Sequence, residues 1–387
     1  MSYNFDKLTS RHNTNCWKWD IDAPDADVIP LWVADMDFEA APKILDALRC
    51  RLDHAVFGYT KVPNSFYEAI QGWYSRRYGW SVQKDWILYT TGVVPAVSAS
   101  IMALSGGEPC GVLCQTPAYN HFFSSIRNCR CHLVENRLVP NGDTFDIDFD
   151  DFERKAALPD TKIFLLCSPH NPTGRIWSPD ELRRMADICR RHGVKIIADE
   201  IHSGIIMPGY HFTPFGAIGD EFQQDAIVTS SCTKSFNLAG LQICYFIIAN
   251  PTLRAAVNRV VNVNEICDVN PFGVIALQVA FNECEDWLTE MCQYVEGNYQ
   301  LLVQFLADTL PGWKASRLMA TYLAWVDCRA TGLNSEQLGR KLLTEAKVRV
   351  SSGDIYGEPD GFIRINLACP RPRLAEALKR IANSFGK

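Results

Sequence analysis

The chain alternates between two hydrophobic periods. Residues 64–77 carry apolar side chains at helical spacing, and residues 86–89 form a short apolar run ending in Thr90-Thr91-Gly92. Residues 93–104 return to the helical period. Further short runs at 111–115, 162–167, 194–199, 226–230 and 243–249 are apolar almost throughout, as expected of strands covered on both faces in a mostly parallel sheet. Helical stretches separate several of them. One carries explicit boundary signals: Ser178 as N-cap, Pro179 at the first helical position, Glu181 at the capping-box position and Gly193 past the last turn. The alternation predicts an α/β fold, a three-layer α/β/α sandwich with a mostly parallel central sheet, whose ligands sit at the carboxyl ends of the strands.

From residue 285 the pattern changes. A long helical stretch, 285–310, ends at Pro311-Gly312, and is followed by strand-like 322–326, helical 335–346, strand-like 348–350 and 362–365, and a last helix over 372–385. These predict a smaller α+β domain joined by the N-terminal segment. The expected division is 46–285 for the large domain and 1–45 with 286–387 for the small one.

Composition narrows the class. At ~100 to 200 residues per domain, 387 residues agree with two domains, or with one large domain and an appendage. With 47% hydrophobic and 21% charged residues and a formal net charge of -6, disorder, coiled coil and a surface for nucleic acid or anionic membrane are excluded. The start of the chain lacks a basic-then-apolar leader, and no run reaches the ~18 apolar residues of a membrane span, so a cytoplasmic protein is expected. The 15 cysteines are odd in number, scattered from Cys16 to Cys369 and often inside apolar runs. They read as reduced, buried small hydrophobes.

Several common signatures are missing: Gly-x-Gly-x-x-Gly after a strand, the Walker A sequence, His-Glu-x-x-His and Cys-x-x-Cys. Cys129, Cys131 and His132 have spacing that would put both thiols on one face of a strand, but no second ligand pair follows, so no metal is expected. Polar residues gather at strand ends instead. The run 194–198 leads into Asp199-Glu200-Ile201-His202, although one aspartate there could equally cap a turn. The run 162–167 leads into Ser168-Pro169-His170-Asn171-Pro172-Thr173-Gly174, a turn stiffened by prolines. The run from 226 leads into Ser231-Cys232-Thr233-Lys234, where a desolvated lysine is a candidate Schiff-base former. Ser231-x-x-Lys234 also matches the acyl enzymes that use a serine nucleophile, but their companion Ser-Asp-Asn and Lys-Thr-Gly motifs are absent.

Asn171-Pro172-Thr173-Gly174, Asp199 and Lys234, in this order and with Gly92 and Tyr119 in place, resemble the pyridoxal 5'-phosphate (PLP) enzymes of fold type I, the aspartate aminotransferase superfamily. The resemblance spans nearly the whole chain. Finer motifs are similar to one branch, the MalY/PatB cystathionine β-lyases or C-S lyases: Leu31-Trp32-Val33-Ala34-Asp35-Met36-Asp37-Phe38, Phe57-Gly58-Tyr59, Lys234-Ser235-Phe236-Asn237, Thr321-Tyr322-Leu323-Ala324-Trp325 and Phe362-Ile363-Arg364-Ile365-Asn366. His202 stands where a typical aminotransferase has tyrosine, and Gln242 where it has arginine.

The resemblance implies roles. Lys234 would hold PLP as a Schiff base and remove the substrate Cα proton, Asp199 would pair with the ring nitrogen, Asn171 would donate to the ring phenolate oxygen and Tyr119 would stack on the ring. Gly92, Val93 and Val94, at a helix start, and Ser231 would bind the phosphate. Tyr59, placed with Lys234 among the catalytic candidates, would reach the phosphate in the neighbouring subunit, which implies a homodimer with shared sites. Arg364 would grip the substrate carboxylate. His202 would support Asp199 or the phenolate oxygen, or simply lie satisfied beneath the ring. Tyr322 and Trp32 would line the substrate pocket, with plain core positions as the other reading. The implied reaction is α,β-elimination of L-cystathionine or another S-substituted L-cysteine to pyruvate, ammonia and a thiol. An aminotransferase on the same site, or a regulator that binds another protein, are the alternatives.

Overall fold

The structure is a computed structural model that describes residues 2–21 and 27–386. The apolar runs assemble a seven-stranded sheet from β1 (Ile87–Thr90), β2 (Gly111–Thr116), β3 (His132–Arg137), β4 (Thr161–Cys167), β5 (Lys195–Asp199), β6 (Ala226–Ser230) and β7 (Cys244–Ile247). Their spatial order is β1-β7-β6-β5-β4-β2-β3. Strands β2 to β6 are parallel, whereas β7 runs antiparallel to both β6 and β1. Between β6 and β7 lies only a loop with one short turn of 3-10 helix, Ala239–Leu241, so the chain returns without the helical crossover a parallel neighbour needs.

Successive residues of each strand enter different cores. Val112, Cys114, Ile163, Leu165 and Ile197 pack with Val93, Ala96 and Val97 of the helix Val93–Ser105. Leu113, Phe164, Leu166, Ile196 and Ala198 face the other way, with Leu182, Met185 and Ala186 of the helix Pro179–Arg191. Because both faces are covered, the strands read as unbroken apolar runs. The three-layer α/β sandwich is therefore as expected. The helix Pro179–Arg191 starts on a complete capping box, with Ser178 Oγ accepting the Glu181 amide at 3.2 Å and the Glu181 carboxylate accepting the Ser178 amide at 2.8 Å. Gly193 follows with φ +70°, the left-handed region that spares glycine a Cβ clash.

A second sheet, antiparallel, comprises β8 (Lys314–Ala315), β9 (Leu323–Asp327), β10 (Ser351–Ser352) and β11 (Phe362–Asn366) in the order β8-β9-β11-β10. The N-terminal segment packs beside it: Ile29–Pro30 pairs with Val348–Arg349, and the Phe5 ring meets Trp287 and Tyr294 at 5.6 and 5.5 Å. The single strand expected over 348–350 is split, because Val348–Arg349 pairs with Ile29–Pro30 while Ser351–Ser352 pairs with β11.

One local expectation is corrected. Cys129 and Cys131 do not share a strand face: the helix Asn120–Asn128 ends at Cys129, Arg130 turns through φ +60°, and β3 begins only at His132. Cys129 Sγ donates to the Ser98 carbonyl, while Cys131 Sγ lies 3.6 Å from Cys110 Sγ. All 15 cysteines are free thiols, and most are buried. Among the described residues no helix is long and apolar enough to cross a membrane.

Candidate active site

The turns beyond the carboxyl ends of β2, β4, β5 and β6, together with the one after β1, enclose a cavity of about 280 Å³. Gly92, Tyr119, Asn171, Asp199, His202 and Lys234 line it. In an open α/β sheet, parallel strands deliver these side chains to one rim, however far apart they lie in sequence.

Asp199 closes β5 and is buried, and its Oδ1 accepts only the backbone amide of Ile201, at 3.0 Å. Burial pushes its acid up to about 7, against the opposing effects of that hydrogen bond and of Lys234. Among the described residues it has no ion-pair partner in contact. Lys234 sits beyond β6 and donates from Nζ to the Ala34 carbonyl at 2.6 Å. Burial lowers its ammonium to about 8; Asp35 and Asp199 pull the other way, and Arg364 adds to the lowering. The turn after β5 presses on this loop at Gly204, where an added Cβ would lie 2.4 Å from Ser235 Oγ and 3.1 Å from Ser235 Cβ.

Arg364 reaches in from β11 on the second sheet and is buried. Its Nη1 donates to Asn171 Oδ1 at 3.0 Å and its Nη2 to the Trp32 carbonyl at 2.9 Å, while the guanidinium lies 4.8 Å over the Tyr356 ring. A guanidinium only donates, so it fixes the oxygen of Asn171 toward itself and leaves the amide nitrogen for an acceptor in the cavity. His202 is buried; desolvation, reinforced by the charges of Lys234 and Arg364, drives its imidazolium down to about 3, so the ring is neutral.

Some expected residues lie elsewhere. Ser231 is not part of the cavity lining: its hydroxyl donates to the Ile243 carbonyl at 2.6 Å and accepts the Thr233 amide at 3.0 Å. Thr233 and Gln242 line the cavity instead. A second hydroxyl beside Lys234 was the available signal for Thr233. Tyr322 donates its hydroxyl to the Ala34 carbonyl at 2.9 Å, and Trp32 donates its indole to the Lys18 carbonyl at 3.1 Å; neither lines the cavity. Tyr59 is fully exposed, with Val56 and Phe57 beside it, and this one chain does not bring it to the cavity.

The donor set fits PLP. Asp199 is a buried carboxylate with no cation in contact, as a ring nitrogen would require; His202 Nδ1 and Arg364 Nε are buried without hydrogen-bond partners. Val93 and Val94 open a helix beside the cavity, where unpaired backbone amides suit a phosphate.

Comparison with known proteins agrees with this geometry. Residues 26–381 match the model of the aminotransferase class I and II family. The chain is 37% identical over 383 residues to cystathionine β-lyase PatB of Bacillus subtilis (strain 168), covering 98% of each chain, and 33% identical to protein MalY of Escherichia coli (strain K12), covering 99% of each. The crystal structure of cystalysin from Treponema denticola, which contains a pyridoxal 5'-phosphate cofactor, superposes with a TM-score of 0.96 at 32% identity, covering 100% of this chain and 99% of that one. Matched along nearly its full length by the family model and by these relatives, the chain belongs to the aminotransferase class I and II family.

Proposed function

We propose that the protein is a PLP-dependent carbon-sulfur β-lyase. An S-substituted L-cysteine such as L-cystathionine is cleaved by α,β-elimination, and with water it gives pyruvate, ammonia and a thiol. The observation that carries the reading is the meeting, in one cavity, of a lysine amine lowered to about 8 with a buried aspartate that has no cation in contact. The full-length likeness to cystathionine β-lyases favours elimination over amino-group transfer, and no observation favours the regulatory alternative.

PLP, when bound, supplies an electron sink for negative charge developing at the substrate Cα. The protein side of the reaction follows from its residues. Lys234, its amine freed by burial, would hold the cofactor, take the proton from Cα and return one to the departing sulfur. Asp199 would pair with the ring nitrogen, since a buried anion favours a cationic partner beside it. Asn171 would offer its amide nitrogen to the phenolate oxygen, and Tyr119 would cover the ring. Arg364 receives the α-carboxylate through its two-pronged guanidinium. Neutral His202, its Nδ1 without a partner, would offer one hydrogen bond toward the cofactor without adding charge. The helix start at Gly92, Val93 and Val94 would hold the phosphate, with Thr233 at the cavity wall and Ser231 bonded to Thr233 behind it.

The same reading includes a cytoplasmic homodimer in which Tyr59, exposed beside Val56 and Phe57, completes the phosphate site of the partner subunit. It also includes the division into 46–285 and 1–45 with 286–387, supported by the two separate sheets and by the pairing of Ile29–Pro30 with Val348–Arg349.

The test is pyruvate release from L-cystathionine by the purified protein with PLP and no 2-oxo acid. Sustained release over many turnovers is expected; amino-group transfer that begins only when a 2-oxo acid is added would replace the lyase with an aminotransferase. Lys234→Ala is expected to lose both turnover and the visible absorbance of the covalently held cofactor, and a yellow, fully active variant would remove Lys234 from the site.

A further inference from the structure

Residues 31–38 form no helix or strand, so their carbonyls depend on partners from elsewhere. Trp32 O accepts from Arg364 Nη2 at 2.9 Å and from Ser351 Oγ at 3.0 Å. Met36 O and Phe38 O both accept from Asn237 Nδ2, at 3.1 and 2.8 Å. The far end is fixed by buried Asp37, which Arg11, Lys18 and Arg373 meet at 2.9, 3.2 and 3.3 Å. Between these anchors one side chain recurs. Asn366 Nδ2 donates to Val33 O and to Asp35 O, at 2.6 Å each, while its own Oδ1 accepts the Ala368 amide at 2.8 Å and so sets which way the amide faces. The carbonyl between the two clamped ones, Ala34 O, is the acceptor of Lys234 Nζ and of the Tyr322 hydroxyl.

We propose that Asn366 is a positioning residue for the reactive amine: by clamping the carbonyls on both sides of Ala34, it aims the Ala34 carbonyl at Lys234 Nζ and so parks the amine whenever it is free. The Ala34 peptide cannot rotate its oxygen away without breaking a buried hydrogen bond of Asn366, which is fully buried and has no water to replace the lost partner. The proposal rests on Lys234 as the reacting amine of the reading above. It adds that the segment joins the two ends of the substrate site, since the same strap accepts Arg364 two residues earlier.

An accepting carbonyl favours the ammonium over the amine. The other groups that face Lys234 are Asp35 on the strap, Asp199 at the end of β5 and Arg364 on β11, which act on its charge, and neutral His202 and Tyr322; among the described residues none of them bonds Asn366 through its side chain. Asn366→Ser keeps a hydrogen-bonding side chain too short to span both carbonyls. In the holoenzyme it is expected to lower kcat for pyruvate release about tenfold with less than about threefold change in KM. In the full chain freed of cofactor, the pH midpoint for acetylation of Lys234 by acetic anhydride, located by peptide mass, is expected to fall by about half a unit or more. Tyr322→Phe leaves the clamp intact and removes the competing donor from the Ala34 oxygen, so the same midpoint is expected to rise.

An unmoved midpoint and unmoved kcat in an Asn366→Ser protein that still binds PLP would overturn the proposal, as would both variants shifting the midpoint the same way. Should Asn366→Ser fail to fold, the Tyr322→Phe midpoint decides alone, and a null or downward shift counts against the clamp. Failure of the lyase reading looks different: the wild-type protein would be inert toward S-substituted cysteines while the two midpoints still moved in opposite directions.

Discussion

Asp199 and Lys234 show how burial alone prepares a pair of side chains for chemistry. Burial works against charge on both, raising the acid to about 7 and lowering the ammonium to about 8. For Asp199 this has a thermodynamic sign. The unfolded side chain ionises near 3.8 and the folded one near 7, so between those values the folded state holds more protons and stability falls as pH rises. Above about 7 nothing further is lost. Asp199→Asn should therefore stabilise the cofactor-free protein at pH 8 by up to about 4 kcal/mol and leave it nearly unchanged at pH ~3, where the folded carboxyl is neutral and the unfolded one mostly so. Melting curves at the two pH values, with and without PLP, check this. Adding PLP should reverse the sign at pH 8, because the ring nitrogen then loses its anion; a variant that is destabilised in both states would show that the carboxylate is already paired in the empty site. His202 contributes through its neutrality: at about 3, its imidazolium is absent over the whole working range, so it can accept or donate one hydrogen bond without adding charge beside Arg364.

At the scale of elements, the site is a contact between turns. Gly204, after β5, leaves no room for a Cβ against Ser235, and the Trp73 ring closes the space behind at 3.5 Å. Gly204→Ala should displace the loop that carries Lys234 while leaving both strands in register, lowering kcat by ~10- to 100-fold with PLP still bound; steady-state pyruvate assays with a cofactor titration measure this, and an unaltered kcat would mean the loop yields freely. This contact also marks where the sequence could be read and where it could not. Strands β2 and β4 to β6 were legible because burial on both faces leaves no polar positions, and their last residues were legible as site candidates because the sheet fixes where ligands go. The direction of β7 was not, since Cys244–Ile247 would look the same in either orientation and only the missing crossover helix decides it. Cys129 and Cys131 misled for a related reason: alternate spacing resembles a strand face, whereas the left-handed turn at Arg130 was set by the end of the preceding helix. The strap 31–38 drew attention through its side chains, yet its contribution at Ala34 is made by a backbone carbonyl, which no residue type encodes.

At the scale of the whole molecule, one exposed segment carries a prediction. Tyr59 stands fully exposed next to Val56 and Phe57, each more than half exposed, an apolar cluster of the kind that marks contact surfaces. If two copies complete each other's sites, Tyr59→Ala and Lys234→Ala subunits, each inactive alone, should regain about a quarter of wild-type activity when unfolded together and refolded at equal amounts, since half the dimers are hybrids with one intact site. Sedimentation and assay of the mixture test it, and a mixture as inactive as its components would show that Tyr59 does not act across subunits. The cysteines carry a consequence of another kind. Burial raises thiols such as Cys114, Cys189, Cys232 and Cys369, so these sulfurs present little thiolate while the chain is folded. Each opening exposes these sulfurs with ordinary acidity and many possible cross-links, and air oxidation would then trap the chain before it could close. The protein would age by opening: its half-life in air would report an unfolding rate, and a reductant would lengthen that half-life without moving the melting temperature.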